Sequence, residues 1–264
     1  MPAVRTVRLA SGPVDALELL AVGIWAFVVS AAGGLVGLVL GNLRLPVVVL
    51  FATSPAAGAG ANVAVSGAAA LASAGAHARA GRVSWRLFAW MAPPSLLGGL
   101  VGGVAAGVVP DRVLLASIAI LILYGAVEVY RYKRPEVEDS AAPRAELLNA
   151  AAVGFGVGLL GGFVGLILGS LRLPAMVKYV GIGPYAAVGT NAAVGVIVGI
   201  GGLLGHLPSG VDWDLLAVGC AGAIPGAYAG AGLTGRLDER TLLKAMAAVL
   251  VISGLAMLVQ AVVG

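Results

Sequence analysis

Charge is scarce in this chain. Only 11% of its 264 residues are Asp, Glu, Lys or Arg, against 60% that are hydrophobic. So little charge cannot clothe a soluble globule, and the mean hydropathy of +1.03 excludes that class. Cysteine occurs once and histidine twice. Cys220, alone in an apolar run, offers neither a disulfide nor a metal cluster and reads as a small packing residue. No metal and no cofactor are expected. No G-x-x-x-x-G-K-[ST] loop is present, and no soluble segment exists to hold one, so direct ATP drive is not expected. The net charge of +4 reads as loop bias for membrane topology rather than a nucleic-acid footprint.

What is abundant is long apolar sequence. The runs approach or exceed the roughly 20 residues needed to cross a ~30 Å hydrocarbon core. They are continuous, whereas a barrel would show short alternating segments. The reading is an all-α polytopic membrane protein in a lipid bilayer. Apolar runs and breakers give eight spans, about 17–41, 55–76, 86–109, 112–130, 146–169, 184–206, 213–235 and 241–262. The run from Leu19 to Gly41 is too long for a signal-peptide core and reads as a retained first span. One long polar connector, RYKRPEVEDSAAPRAE, divides the chain near its middle.

The two halves match motif by motif. Gly33, Gly37 and Gly41 correspond to Gly161, Gly165 and Gly169, and Arg44 and Pro46 to Arg172 and Pro174. Pro55, Gly60, Asn62 and His77 correspond to Pro184, Gly189, Asn191 and His206. GRVSW (81–85) resembles GVDW (210–213), and PDRVLL (110–115) resembles LDERTLL (237–243). This is an internal duplication of the kind found in transporters. It divides the chain into a first transmembrane repeat, 1–130, a cytoplasmic linker, 131–146, and a second repeat, 147–264. Four spans per half would give both halves the same orientation. The apolar segments 46–54 and 174–183 are too short to cross, and if either pairs with a span the repeats become inverted.

Loop charge is expected to set the orientation. With the N-terminus in the cytoplasm, the inner loops hold Arg5, Arg8, Arg79, Arg82, Arg86, Arg131, Lys133, Arg134 and Arg144. The outer loops hold Arg112, Arg236, Arg240 and Lys244. That count favours both termini in the cytoplasm.

Glycines at every fourth residue in the first span of each half let another backbone approach closely or line a narrow path. Ser84 and Asp212 read as N-caps beside the interfacial anchors Trp85 and Trp213. His77 and His206, at span ends, read as interface residues.

The most informative residues are the two arginines, in GLVLGNLRLP and GLILGSLRLP. An arginine at membrane depth costs about 2.5–3.5 kcal/mol on insertion scales. Each precedes a proline, which suits the first turn of a helix. The motif reads as helix, break, arginine and a new helix beginning at Pro46 or Pro174. A helix N-terminus with a guanidinium fork is an anion site. Asn62 and Asn191, with Thr190 beside the second, would add neutral hydrogen bonds. The structural alternatives are snorkelling arginines and an interhelical amide bond.

The pattern GGxVGxxLG…LP, then PxxAxGTN (184–191) and the AHARAGRVSWR run around His77, resembles the TauE/SafE sulfite exporter family over nearly the whole chain. The resemblance implies about eight helices in two repeats and transport of small sulfur-containing anions. The expectation is a non-enzymatic secondary transporter of a small oxyanion in the cell membrane. Arg44, Arg172, Asn62, Asn191 and Thr190 would bind the anion between the repeats, and a homo-oligomer is compatible. The rivals are a channel-like anion pore and an intramembrane enzyme. The second would need a nucleophile–base pair within the spans.

Overall fold

In hydrocarbon every backbone N–H and C=O must be satisfied within its own segment, and continuous apolar runs meet that requirement as helices. The computed structural model describes residues 15–36, 40–131, 145–180, 182, 184–232 and 239–263, and among them there are α-helices and no strands. The helices are α1 (Ala16–Val36), α2 (Gly41–Phe51), α3 (Pro55–Arg79), α4 (Trp85–Val108) and α5 (Asp111–Arg131), then α6 (Ala145–Val164), α7 (Gly169–Val180), α8 (Pro184–His206), α9 (Trp213–Gly232) and α10 (Glu239–Val263). Among the described residues five stretches are long and apolar enough to cross a membrane: Ala16–Gly33, Pro55–Arg79, Trp85–Val108, Leu147–Val164 and Ala186–Ser209. Large apolar side chains such as Ile24, Leu97, Ile120, Phe155, Ile200 and Ile252 face outward. The buried centre holds arginine, asparagine, serine and histidine. An apolar exterior around a polar centre is the arrangement expected of a polytopic membrane protein.

The long helices follow the expected spans, and a short helix after the first span of each half gives a recurring order: one long helix, one short, then three long. Each short helix retraces the long one before it. The Trp25 indole N–H donates to the Leu43 carbonyl at 3.1 Å. Leu19 and Val22 of α1 share a cluster with Val47, Val48 and Phe51 of α2. In the second half Leu147 and Ala150 of α6 cluster with Met176 and Val180 of α7. A long helix and its short return together add no net crossing.

Close glycine contacts give the helix directions. Gly67 lies against Gly199, Val63 against Gly202 and Gly60 against His206, so α3 and α8 are antiparallel. Gly222, Gly226 and Gly230 meet the carbonyls of Gly23, Phe27 and Ala31, so α1 and α9 are parallel. Val65 meets Gly219 and Val211 meets Gly60, so α9 is also parallel to α3. Gly98 and Gly102 meet the carbonyls of Phe155 and Leu159, and Gly99 and Gly103 meet Gly202 and Gly205. Hence α4, α6 and α8 run together, opposite to α1, α3 and α9. The first helix of one half and the first helix of the other therefore run in opposite directions. Ala16 and Ala145 lie at opposite ends of the bundle. This corrects the expectation that the N-terminus and the 131–146 connector share a side. The physical reason is the returning short helix, which cancels the direction of the long helix before it and leaves three further passes along the bundle in each half.

Two local expectations change as well. The glycine repeat is not a stripe on one helix: α1 ends at Val36 and α6 at Val164, while Gly41 and Gly169 each begin the following short helix. Gly37 lies outside the described residues. Gly165 sits in the break with φ +74°, and a Cβ there would overlap Ala59. Pro46 lies inside α2 instead of starting it. The break precedes LRLP, so Arg44 and Arg172 belong to the first turn of each short helix. Pro174 likewise falls within the span of α7.

Candidate functional site

Each short helix brings an arginine to an asparagine on the following long helix. Ser54 and Pro55 start α3, with the Ser54 hydroxyl accepting from the Ala57 N–H at 3.1 Å. Asn62 and Ser66 then fall one helical turn apart, on the same face. The Arg44 Nε donates to Asn62 Oδ1 at 2.8 Å, and Nη2 donates to Ser66 Oγ at 2.6 Å and to the Asn62 carbonyl at 3.3 Å. The Asn62 amide in turn donates to the carbonyls of Gly41, at 3.3 Å, and Gly165, at 2.8 Å. Gly165 belongs to the break of the other half, so this cluster spans both halves of the chain.

The second cluster is sparser. The Arg172 Nη1 donates to Asn191 Oδ1 at 3.1 Å. Its Nε and Nη2 are buried and have no hydrogen-bond partner among the described residues. Gly169, which opens α7, packs against the Asn191 amide. Arg44 and Arg172 are only 2% and 0% exposed, so neither snorkels to the surface. All the acceptors that hold the two guanidiniums are neutral. A buried donor without an acceptor costs about 1–3 kcal/mol, more when charged. A cation held at depth without a carboxylate is poised for an anion of another origin.

The two clusters lie apart. Asn62 is five residues from the Gly67–Gly199 crossing along α3, and Asn191 is eight residues from it along α8, in the opposite direction. At 1.5 Å per residue the two are about 20 Å apart along the bundle. The arginines therefore build two half-sites and do not face one another across one central cavity.

Thr190 is fully buried, but its hydroxyl accepts from the Ser84 N–H at 2.9 Å, which anchors the start of α4. Ser84 makes no side-chain cap of its own. The Asp212 carboxylate reaches across to Thr53, accepting from its N–H at 2.8 Å and its hydroxyl at 3.1 Å. His206 is buried instead of interfacial, with Nε2 2.8 Å from the Gly162 carbonyl. Among the described residues no three His, Cys, Asp or Glu side chains converge in a way that holds a metal ion. Sequence reasoning missed Ser66, although a hydroxyl four residues beyond Asn62 in a run of alanine and glycine was the available signal.

A family model described as sulfite exporter TauE/SafE matches residues 22–257. Neither a curated protein nor a solved structure matches the chain.

Proposed function

We propose that this chain, which belongs to the sulfite exporter TauE/SafE family, is a secondary transporter of a small oxyanion. Sulfite, a sulfonate or a similar sulfur-containing anion fits best, carried across the cytoplasmic membrane. The observation that carries this reading is the pair of membrane-buried arginines held only by neutral partners at matched helix breaks. A guanidinium fork matches a tetrahedral or pyramidal oxyanion with two parallel hydrogen bonds. The first N–H groups of α2 and α7 add positive dipole ends at the same places. Arg44 with Asn62, and Arg172 with Asn191, are the two candidate half-sites for those contacts, and Thr190 ties the start of α4 to α8 beside the second.

The antiparallel halves give a route for alternating access. Two inverted copies of one sequence plan can exchange conformations, so that what opens at one end closes at the other. Glycine contacts between helix backbones, as at Gly67 and Gly199, leave little side-chain bulk to obstruct that rocking. The repeats would divide near 1–130 and 147–264.

The helix directions also revise the charge argument. Arg79, Arg82, Arg86 and Arg131 belong to the end of the bundle where α4, α6 and α8 begin, and the connector tethered there carries Lys133, Arg134 and Arg144. The opposite end has Arg112, with Arg5 and Arg8 in the sequence ahead of α1. The positive-inside rule then puts the central connector in the cytoplasm and the N-terminus outside.

Proteoliposome flux tests the function. Sulfite, thiosulfate, sulfoacetate and taurine are loaded inside, and exchange against external anion is followed. Saturable flux, accelerated by substrate on the far side, is expected for at least one of them. Unsaturable flux without that acceleration would make the protein a pore, and no flux of any of the four would overturn the reading.

A further inference from the structure

The two half-sites are built on the same plan but differ one turn beyond the asparagine. Asn62 is followed one turn later by Ser66, whereas Asn191 is followed one turn later by Gly195. The Nε and Nη2 groups of an arginine form one edge of the guanidinium, the edge that grips two oxygens side by side. In Arg44 that edge is filled from within, by Asn62 Oδ1 and Ser66 Oγ. In Arg172 the guanidinium presents Nη1 to Asn191 instead, and the Nε–Nη2 edge has no partner among the described residues while the side chain is fully buried.

We propose that the Arg172 half-site alone takes the anion, and that Ser66 closes the Arg44 half-site by standing in for one anion oxygen. The inference rests on the oxyanion reading above and deepens it, since it assigns binding to one of two related half-sites. An anion of at least two oxygens would accept from Nε and Nη2 of Arg172, beside the first turn of α7. Asn191 would hold the guanidinium in place through Nη1. The Asn62 amide, tied to the Gly165 carbonyl just ahead of α7, makes the closed half-site a brace for the open one. Gly195 offers the second fork no hydroxyl in the place of Ser66. A Cβ there would lie 3.2 Å from the Ile167 Cγ2 and 3.5 Å from the Ala70 Cβ, so a serine fits once the flexible Ile167 side chain gives by a few tenths of an ångström.

The test uses the full-length protein in nanodiscs, with sulfite, sulfate and thiosulfate as probes and calorimetry as the readout. Wild type should bind one anion per chain, and Arg172→Ala should abolish binding. Gly195→Ser should weaken it about ten-fold or more, by offering the fork an internal acceptor. Arg44→Ala should leave that one anion bound, and it remains decisive if the Gly195→Ser protein does not fold. Wild-type binding that disappears with Arg44→Ala and persists with Arg172→Ala would overturn the assignment and leave the transport reading intact. So would a wild-type stoichiometry of two. Failure of wild type and of every variant to bind any of the three probes would instead sink the oxyanion reading itself.

Discussion

The Asn62 side-chain amide donates to the Gly165 carbonyl at 2.8 Å, which joins α3 of the first half to the helix break of the second. The same side chain accepts from Arg44, so one residue orients a buried cation and fastens the two halves together.

Removing that side chain should therefore cost stability. Asn62→Ala leaves Arg44 Nε and the Gly165 carbonyl without partners inside the bundle. Each buried unsatisfied group costs about 1–3 kcal/mol, and a clear fall in the unfolding temperature of the purified protein is expected. An unchanged midpoint would mean that water replaces the amide and that the bond does not join the halves.

Gly165 is the tightest point of the second break. Gly165→Ala forces a side chain into a left-handed backbone at φ +74° and against the Ala59 backbone. The backbone strain alone is about 1–3 kcal/mol. Yield of folded protein and melting temperature should both drop, whereas Gly75→Ala, with open space around it, should behave as wild type. Equal behaviour of the two variants would show that the break does not have this geometry.

Arg172→Lys keeps the positive charge and loses the planar fork. Anion affinity should fall about ten-fold, beyond what charge alone accounts for. A salt titration of binding checks that the residual attraction is coulombic. Affinity equal to wild type would show that only the charge matters at this position.

Topology is tested with single cysteines in a Cys220→Ala background. In intact cells an impermeant maleimide should label Ala10→Cys and spare Ser140→Cys, with the pattern reversed in inside-out vesicles. Labelling of both from the same side would refute the inverted arrangement. The opposite pattern would keep the arrangement and reverse its orientation.

Much of this was legible in the chain. Arg44 and Arg172 stand in the same apolar frame, and the cost of burying a cation in hydrocarbon is enough to single them out. Asn62 and Asn191 stand out for the same reason. The break was legible too, but its place was not. Pro46 signalled a helix start because its ring suits a first turn, yet six residues of α2 in sequence from Gly41 to Pro46 are helical. A glycine ahead of a short helix leaves its starting point to packing, and proline in the second turn is tolerated where neighbouring helices satisfy the freed carbonyl.

Composition and periodicity by themselves determined that the chain is helical and membrane-embedded, because hydrocarbon burial and backbone satisfaction depend only on the residues within each run. The direction of each half, the distance between the two arginines and the difference between their forks were decided by tertiary structure alone. A helix that turns back and one that passes through have the same hydropathy, so sequence cannot distinguish them. Which edge of Arg172 finds a partner is settled only once α7 is packed against α8, where Asn191 takes Nη1 and Nε and Nη2 have no partner among the described residues.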